Sequence, residues 1–284
     1  MSVASRVAVV TDSTACLSAE RLEGLDVTVV PLRVTMGTRT AIDGVNVSSA
    51  DVARALRSKV AVSTSRPTPA EFATRYQELL DAGASHVVSI HLSAALSGTW
   101  ESAVLAAQDF PHGVVRVVDS RSTAMGLGFA VLAAARRAAG GGSAAEVQGA
   151  ATTTVDSTRT FFYVDTLEYL RRGGRIGTAA ALFATTLSVK PLLQLVEGQI
   201  VALEKVRTSS KALARLVELT VRAAGRSDID LAVHHVAAAE RAAAVETQLR
   251  DQLPRLGESQ IAELGPVIGA HLGPGVVGTV IVGR

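Results

Sequence analysis

The chain holds one cysteine, Cys16, one tryptophan and only 4 % aromatic residues. A lone thiol excludes an internal disulfide and fits a reducing compartment. Histidines and cysteines at metal-ligand spacing are also missing. His234 and His235 are adjacent, so on a strand they point to opposite faces and cannot share one ion. No cofactor is expected. The formal net charge is only +2, and the basic residues are scattered. That leaves no stripe of Lys and Arg for a phosphate backbone, which argues against a nucleic-acid partner. No apolar h-region follows Met1–Arg6, so no secretory signal is read. Ile176–Val189 is shorter than the roughly 20 residues needed to span a bilayer. Leu264–Gly283 is long enough, but six glycines and two prolines break it. A soluble, cytoplasmic protein is expected.

Small aliphatic residues supply most of the bulk instead, and 48 % of the chain is hydrophobic. In the first half, short Val/Ile runs alternate with helical segments. Strands are read at Val7–Val10, Val27–Val34 (interrupted at Pro31), Val87–Leu92 and Val114–Val118. Helices are read at Ser48–Ser58, from Thr68 to Ala82, Gly98–Asp109 and Thr123–Ala139. Thr68-Pro69-Ala70-Glu71 is a capping box with proline at the first helical position. Ser143 with Glu146 caps a further helix. Apolar strands separated by helices predict a mostly parallel sheet covered on both faces. The second half is less regular. Strands are read at Phe161–Val164, Gln199–Val206, Leu231–Val236, Gln260–Ile268 and Val276–Val282, with amphipathic helices at Ser209–Ala224 and Ala238–Leu253. The fold class is therefore α/β in two domains: residues 1–155 with a mostly parallel sheet, and residues 156–284 with a mixed α/β arrangement. The polar segment Thr152–Thr160 is taken as the crossing point.

Hydroxyl residues cluster where strands of the first half appear in sequence to end: Thr11-Asp12-Ser13-Thr14, Ser63-Thr64-Ser65, and Ser93 to Thr99. Ligands of open parallel sheets bind beyond the carboxyl ends of the strands, so these loops could share one crevice. Ser97-Gly98-Thr99 also opens a helix, where free N–H groups favour an anion and Gly98 would permit close approach. The same residues equally suit ordinary caps and turns. His271, in Gly269-Ala270-His271-Leu272-Gly273-Pro274-Gly275, is read as exposed to a cleft on a glycine-rich backbone, donating a hydrogen bond or a positive charge to an anionic oxygen. The segment Leu167–Ile176 is a short helix followed by a basic turn, which serves either as a glycine C-cap with cations at the helix end or as a surface for an anionic partner. Leu182–Val189 reads as a buried helix or as the wall of an apolar pocket.

Taken in order, these pieces resemble the DegV family of bacterial fatty-acid-binding proteins. The resemblance is carried by Thr11-Asp12-Ser13-Thr14, Pro31-Leu32 with Asp43-Gly44, Ser63-Thr64-Ser65 with Pro67, and Leu96-Ser97-Gly98-Thr99. It continues through Asp119-Ser120, Asp165 to Ile176 and Lys190-Pro191, and closes with His271-Leu272-Gly273-Pro274-Gly275. It implies a DegV-like fold of two α/β domains with a fatty acid buried between them. Its carboxylate would be held by Thr64, Ser97 and His271, with Ser65, Ser93 and Gly98 as adjacent contacts. It further implies a lipid-binding carrier, not an enzyme, that presents the acid to a separate fatty acid kinase subunit for acyl-phosphate formation in phospholipid synthesis. Arg172 and Arg175 would lie near that kinase, and transient contact with a membrane surface fits such a carrier.

Five positions depart from the family pattern: Cys16, Arg66, Ala94, Trp100 and Leu272. None removes a proposed head-group contact, although Arg66 adds a cation nearby. Two other functions are weighed. In a hydrolase, Ser97 would be the nucleophile and His271 the base, but Ala95-Leu96-Ser97-Gly98-Thr99 lacks both outer glycines of a nucleophile elbow and no acidic partner for His271 is identified. A small-substrate domain related to dihydroxyacetone kinases would use a histidine to capture a carbonyl. No P-loop is present, so ATP binding by this chain is not expected.

Overall fold

A computed structural model describes residues 6–184 and 189–284. The chain begins with β1 (Val7–Asp12), α1 (Ala19–Leu22), β2 (Val27–Val30), β3 (Arg33–Met36), β4 (Arg39–Ile42), α2 (Ser49–Arg57) and β5 (Val62–Ser65). It continues through α3 (Pro69–Asp81), β6 (His86–His91), α4 (Thr99–Ala107), β7 (Val115–Asp119), α5 (Met125–Ala139) and α6 (Ala144–Ser157). Then come β8 (Arg159–Tyr163), α7 (Glu168–Arg172), a 3-10 helix at Gly177–Ala184, β9 (Lys190–Val196) and β10 (Gln199–Val206). The chain ends with α8 (Ser209–Ala224), β11 (Ile229–His235), α9 (Ala239–Gln252), β12 (Leu256–Glu263), α10 (Pro266–Leu272) and β13 (Val277–Gly283). Part of Leu182–Val189, read from sequence as a buried helix or pocket wall, falls on residues 185–188, outside the described residues.

Two compact units divide these elements: Met1–Arg33 with Ser65–Asp156, and Val34–Thr64 with Ser157–Arg284. The first contains an all-parallel sheet of order β2-β1-β6-β7. Its central strand is apolar on both sides, as parallel strands under helices must be. Val7 and Val9 pack with Leu127, Val131 and Val147 of α5 and α6. Ala8 and Val10 face the other way, toward Phe72, Tyr76 and Ala103 of α3 and α4. Period-two alternation on one strand thus feeds two cores. The capping boxes of α3 and α6 form as their spacing predicts: Thr68 with Glu71, and Ser143 with Glu146.

The second unit contains a six-stranded mixed sheet, order β10-β9-β8-β13-β11-β12. Every pairing is antiparallel except β11 with β12, which α9 connects as a crossover. One face carries Phe161, Leu192, Leu231 and Ile281 against Leu216 of α8 and Val245 of α9. A three-stranded sheet of order β4-β3-β5 accompanies it.

Three readings need correction. Val27–Val34 is not one interrupted strand. The chain leaves the parallel sheet at Val30 and enters the three-stranded sheet at Arg33, with Pro31 unable to supply a ladder N–H between them. Gln260–Ile268 is not a strand, because β12 stops at Glu263 and α10 begins at Pro266. Gly265 caps that helix and Pro266 takes its first position, where the missing N–H costs nothing. Finally, a single cut near residue 155 separates Val34–Thr64 from the contacts that hold it. Ser49 Oγ donates to the Leu264 carbonyl (2.5 Å), and the buried Asp43 carboxylate accepts from Val267 N (3.4 Å) in the first turn of α10.

Asp43 therefore caps a helix more than two hundred residues away in sequence. Asp43→Ala should cost about 1 kcal/mol, the usual value of a lost cap. A urea midpoint identical to that of the unaltered protein would contradict this role.

Candidate functional site

In the second unit, His271 stands on the last turn of α10, not in an open glycine loop as its neighbours suggested. Gly269 of α10 faces Val236, where a Cβ would make ordinary contact with its methyls at 3.7 and 3.8 Å. Gly273 ends the helix at φ +75, and its N–H returns to the Gly269 carbonyl at 2.8 Å. A Cβ there would fall on the Tyr169 ring of α7, so only glycine fits on both steric and conformational grounds. Thr64 is the third residue of β5, and its Oγ1 lies 2.8 Å from His271 Nε2. The sequence reading placed Ser63-Thr64-Ser65 in a loop at the end of a parallel strand. These residues are instead part of β5, an edge of the three-stranded sheet.

The other ring nitrogen has a different setting. Nδ1 of His271 is buried and has no hydrogen-bond partner among the described residues. It faces Gly173, the C-cap of α7, where a Cβ would overlap Nδ1 and stand 2.9 Å from Cε1. Burial, and secondly the charge of Arg175, push the His271 imidazole down to about 4 from the ordinary 6.5. The ring is neutral at pH 7. Of the two roles weighed from sequence, a hydrogen bond or a positive charge, the neutral ring fits the hydrogen bond. In the basic turn, Arg172 pairs with Glu168 at 2.5 Å, and Arg175 donates to the Gly173 carbonyl at 2.5 Å.

In the first unit, the loops after β1 and β6 lie at the carboxyl ends of adjacent parallel strands. Asp12, fully buried, joins them. Its carboxylate accepts from Thr14 N (3.0 Å) and Thr14 Oγ1 (2.6 Å) on one side. On the other it accepts from Leu92 N (3.0 Å) and His91 Nδ1 (3.0 Å). The ring of His91 reaches Ser89 Oγ at 2.7 Å, which accepts from the Tyr76 hydroxyl at 2.8 Å. This buried chain fixes the point where the Ser93–Gly98 loop leaves β6.

Within that loop, Ser93 is buried, its Oγ accepts from Ala95 N (3.1 Å), and its N–H donates to the Ser122 carbonyl (2.8 Å). Ser97 is half-buried. Its Oγ lies 2.9 Å from Thr99 Oγ1 and accepts from Thr99 N at 3.3 Å, at the start of α4. Gly98 does not stand open to a ligand. The Arg66 guanidinium donates to its carbonyl at 3.0 Å, and any Cβ would strike that group. Arg66 is also paired with Glu101 at 3.2 Å, so its charge is largely answered within the protein. Ser65 is exposed.

Thus the fold brings Thr64 together with His271, and Ser93 together with Ser97 and Gly98. The glycine C-cap read at the end of the Leu167–Ile176 helix is Gly173, but sequence reading missed His91, the contacts of Asp43 and Gly173 with α10, and the part played by Asp12. The trace of His91 was available: Ser89 and His91 are polar residues two apart in an apolar strand, hence on one face. The approach of Gly173 to His271 left no trace, because a contact between distant segments has no local pattern.

The charge state of the histidines sets a pH dependence. His234, fully buried with its Nδ1–H on the Ala262 carbonyl (3.1 Å), is also pushed down to about 4 by burial. The unfolded chain takes up protons at both His234 and His271 near pH 6.5, whereas the folded chain refuses them until about pH 4. Stability therefore falls as pH drops from 7 to 4, by about 2 kcal/mol at pH 5 from His234 alone. His271 acts in the same direction. Urea titrations at pH 7.5 and 5.0 measure the loss, and equal midpoints would show that both rings accept protons in the folded state.

No helix among the described residues is long and apolar enough to cross a membrane. The DegV family model, which describes uncharacterised proteins of that family, matches residues 6–284. A DegV domain-containing protein of Streptomyces coelicolor is 50 % identical over 278 residues, covering 98 % of this chain and 99 % of its own. Among solved structures, one described as fatty acid binding of a DegV family protein from Thermus thermophilus is 35 % identical with a TM-score of 0.93. It covers 98 % of this chain and all of the other. A second, described as DegV, a fatty acid binding protein from Bacillus subtilis, is 32 % identical with a TM-score of 0.88, covering 98 % and 99 %. With the match running nearly end to end and the two-unit α/β fold shared, this chain is a member of the DegV family.

Proposed function

We propose that this chain is a carrier that binds a long-chain fatty acid, takes its carboxylate with Thr64, Ser97 and His271, and performs no chemistry on it. The observation that carries the reading is the Thr64 Oγ1–His271 Nε2 contact of 2.8 Å at a half-buried position, in a chain whose relatives bind fatty acids. An ionised carboxylate taken from water needs several donors, because an unpaired buried charge is very costly. Hydroxyls and a neutral imidazole meet that need without a cation that would itself have to be buried. The tail contributes about 0.8 kcal/mol per buried methylene, so affinity should grow with chain length while the head group sets orientation.

The acid is then presented to a separate fatty acid kinase, which forms the acyl phosphate. We assign the turn bearing Arg172 and Arg175 to that contact, since Arg172 is exposed at the last residue of α7 and Arg175 follows in the same basic turn. A hydrolase reading gains little. The Ser97 hydroxyl is bonded to Thr99 and His271 Nε2 to Thr64, so each is engaged elsewhere than a nucleophile and its base would be.

Native mass spectrometry of the purified protein should release a fatty acid on denaturation. Thr64→Ala, Ser97→Ala and His271→Ala should each weaken uptake of a fluorescent long-chain acid roughly 10- to 100-fold, as expected for hydrogen bonds to a charged group. Their melting temperatures should stay within a few degrees of the unaltered protein. Unchanged affinity in all three would sink the head-group assignment.

A further inference from the structure

Two adjacent histidines close β11, and binding of a fatty acid uses neither. His235 shares the strand face of Leu231 and Val233, which pack with Ala242, Val245 and Leu249 of α9. It is only 8 % exposed, and its Nδ1 is buried with no hydrogen-bond partner among the described residues. A buried polar atom left alone calls for a water or a ligand. His235 also lines a cavity of about 720 Å³, whose walls all belong to the second unit. Thr64, Ser97 and His271 are not among those walls.

Strands β11 and β12 pair in parallel with α9 between them, so the three form a βαβ unit. The last residues of both strands, His235 and Glu263, line the cavity together with the first turn of α9. The carboxyl end of such a unit is where a helix N-terminus offers N–H groups to an anion. Ala238 supplies no side-chain cap, and the first backbone bond of α9 runs from Ala242 N to the Ala238 carbonyl at 3.1 Å. The N–H groups of Ala239, Glu240 and Arg241 precede that bond and are left to solvent or a ligand. Arg57, exposed at the last residue of α2, lines the same cavity and has no ion-pair partner among the described residues. Burial holds the His235 imidazole below its ordinary value, against the pull of the Glu263 charge. At pH 7 the ring is therefore a neutral hydrogen-bonding group.

Three carboxylates share the cavity. Asp165 is answered by Lys190 Nζ at 3.2 Å and by Arg241 at 3.4 Å. Glu263 accepts only from Ala237 N, at 3.3 Å, and Glu240 is exposed on the first turn of α9. Neither glutamate has a cationic partner among the described residues. A bare anion is repelled by such a pair, whereas hydroxyl groups donate to it. We propose that this cavity binds a small phosphomonoester of a sugar or polyol. Its phosphate is taken by the first turn of α9, Arg57 and His235, and its hydroxyls by Glu240 and Glu263. The volume falls within the range of roughly 300–1,000 Å³ usual for small-molecule sites.

The test is isothermal titration calorimetry of the full chain at pH 7.5 with D-ribose 5-phosphate, glycerol 3-phosphate, inorganic phosphate and ribose. At least one of the two phosphomonoesters should bind about tenfold more tightly than inorganic phosphate, and ribose should give no measurable heat. Binding of neither phosphomonoester at millimolar concentration overturns the proposal, and so does inorganic phosphate binding equally well. Arg57→Gln alters an exposed side chain and should weaken the phosphomonoester about tenfold without moving the melting temperature. Unchanged affinity in that variant removes the phosphate from this cavity. Glu263→Gln should narrow the preference over inorganic phosphate, and an unaltered preference overturns the hydroxyl contact. Thr64→Ala should bind the phosphomonoester within about twofold of the unaltered protein. A loss as large as that in Arg57→Gln would place the phosphate at the proposed carboxylate site instead, and the proposal would fall. Fatty-acid uptake enters none of these measurements, so the carrier reading and this one fail separately.

Discussion

The hydrogen bond between Thr64 and His271, at 2.8 Å, joins residues 207 positions apart within the second unit. One partner sits on an edge strand of a three-stranded sheet, the other on a helix of seven residues. Neither element is stable alone, since a two-turn helix in water is marginal. The helix is therefore pinned from outside. Asp43 accepts from its first turn, Ser49 donates to the carbonyl just before it, and the Tyr169 ring fills the space left by Gly273. The contacts come from two distant segments, Val34–Thr64 and α7. The geometry of one side-chain pair thus depends on the whole unit being folded.

The same rule, that a buried polar group must find a partner, organises the first unit. Asp12 carries four hydrogen bonds at the carboxyl end of β1, and two of them come from Leu92 and His91 at the end of the neighbouring strand. Strand ends in a parallel sheet are where irregular backbone begins and ladder bonds run out. A carboxylate there replaces the missing pairing and starts the Ser93–Gly98 loop from a fixed point. The loop then uses its own hydroxyls to close its turns, Ser93 on Ala95 and Ser97 on Thr99. Ser97, half-buried, remains the hydroxyl of this loop with a surface to offer, whereas Ser93 is enclosed.

Charge is handled sparingly throughout. Arg66, the most conspicuous departure near the proposed head-group residues, is paired with Glu101 and bonded to the Gly98 carbonyl. His271 is neutral because burial and Arg175 disfavour its protonated form. The polar groups presented by Thr64, Ser97 and His271 are therefore neutral donors and acceptors. Neutral donors hold an anion without the desolvation cost of burying a cation beside it.

By itself the sequence determined the parallel sheet and its two covered faces, because Val7 to Val10 is apolar at every position and period-two packing leaves no other use for that pattern. It also determined the caps of α3 and α6, whose signals lie within four residues. The motif order from Thr11 to Gly275 marked the family, and with it the residues singled out as Thr64, Ser97 and His271. Tertiary structure decided everything that depends on distant approach. It put Val34–Thr64 with the second unit, turned the end of an apparent strand into the helix that bears His271, and covered Gly98 with Arg66. It also set Gly173 against one nitrogen of His271 and Thr64 against the other. The reason is one of range: periodicity and capping act within a few residues, whereas the protonation state of a buried ring is set by whatever the whole chain brings within a few ångströms of it.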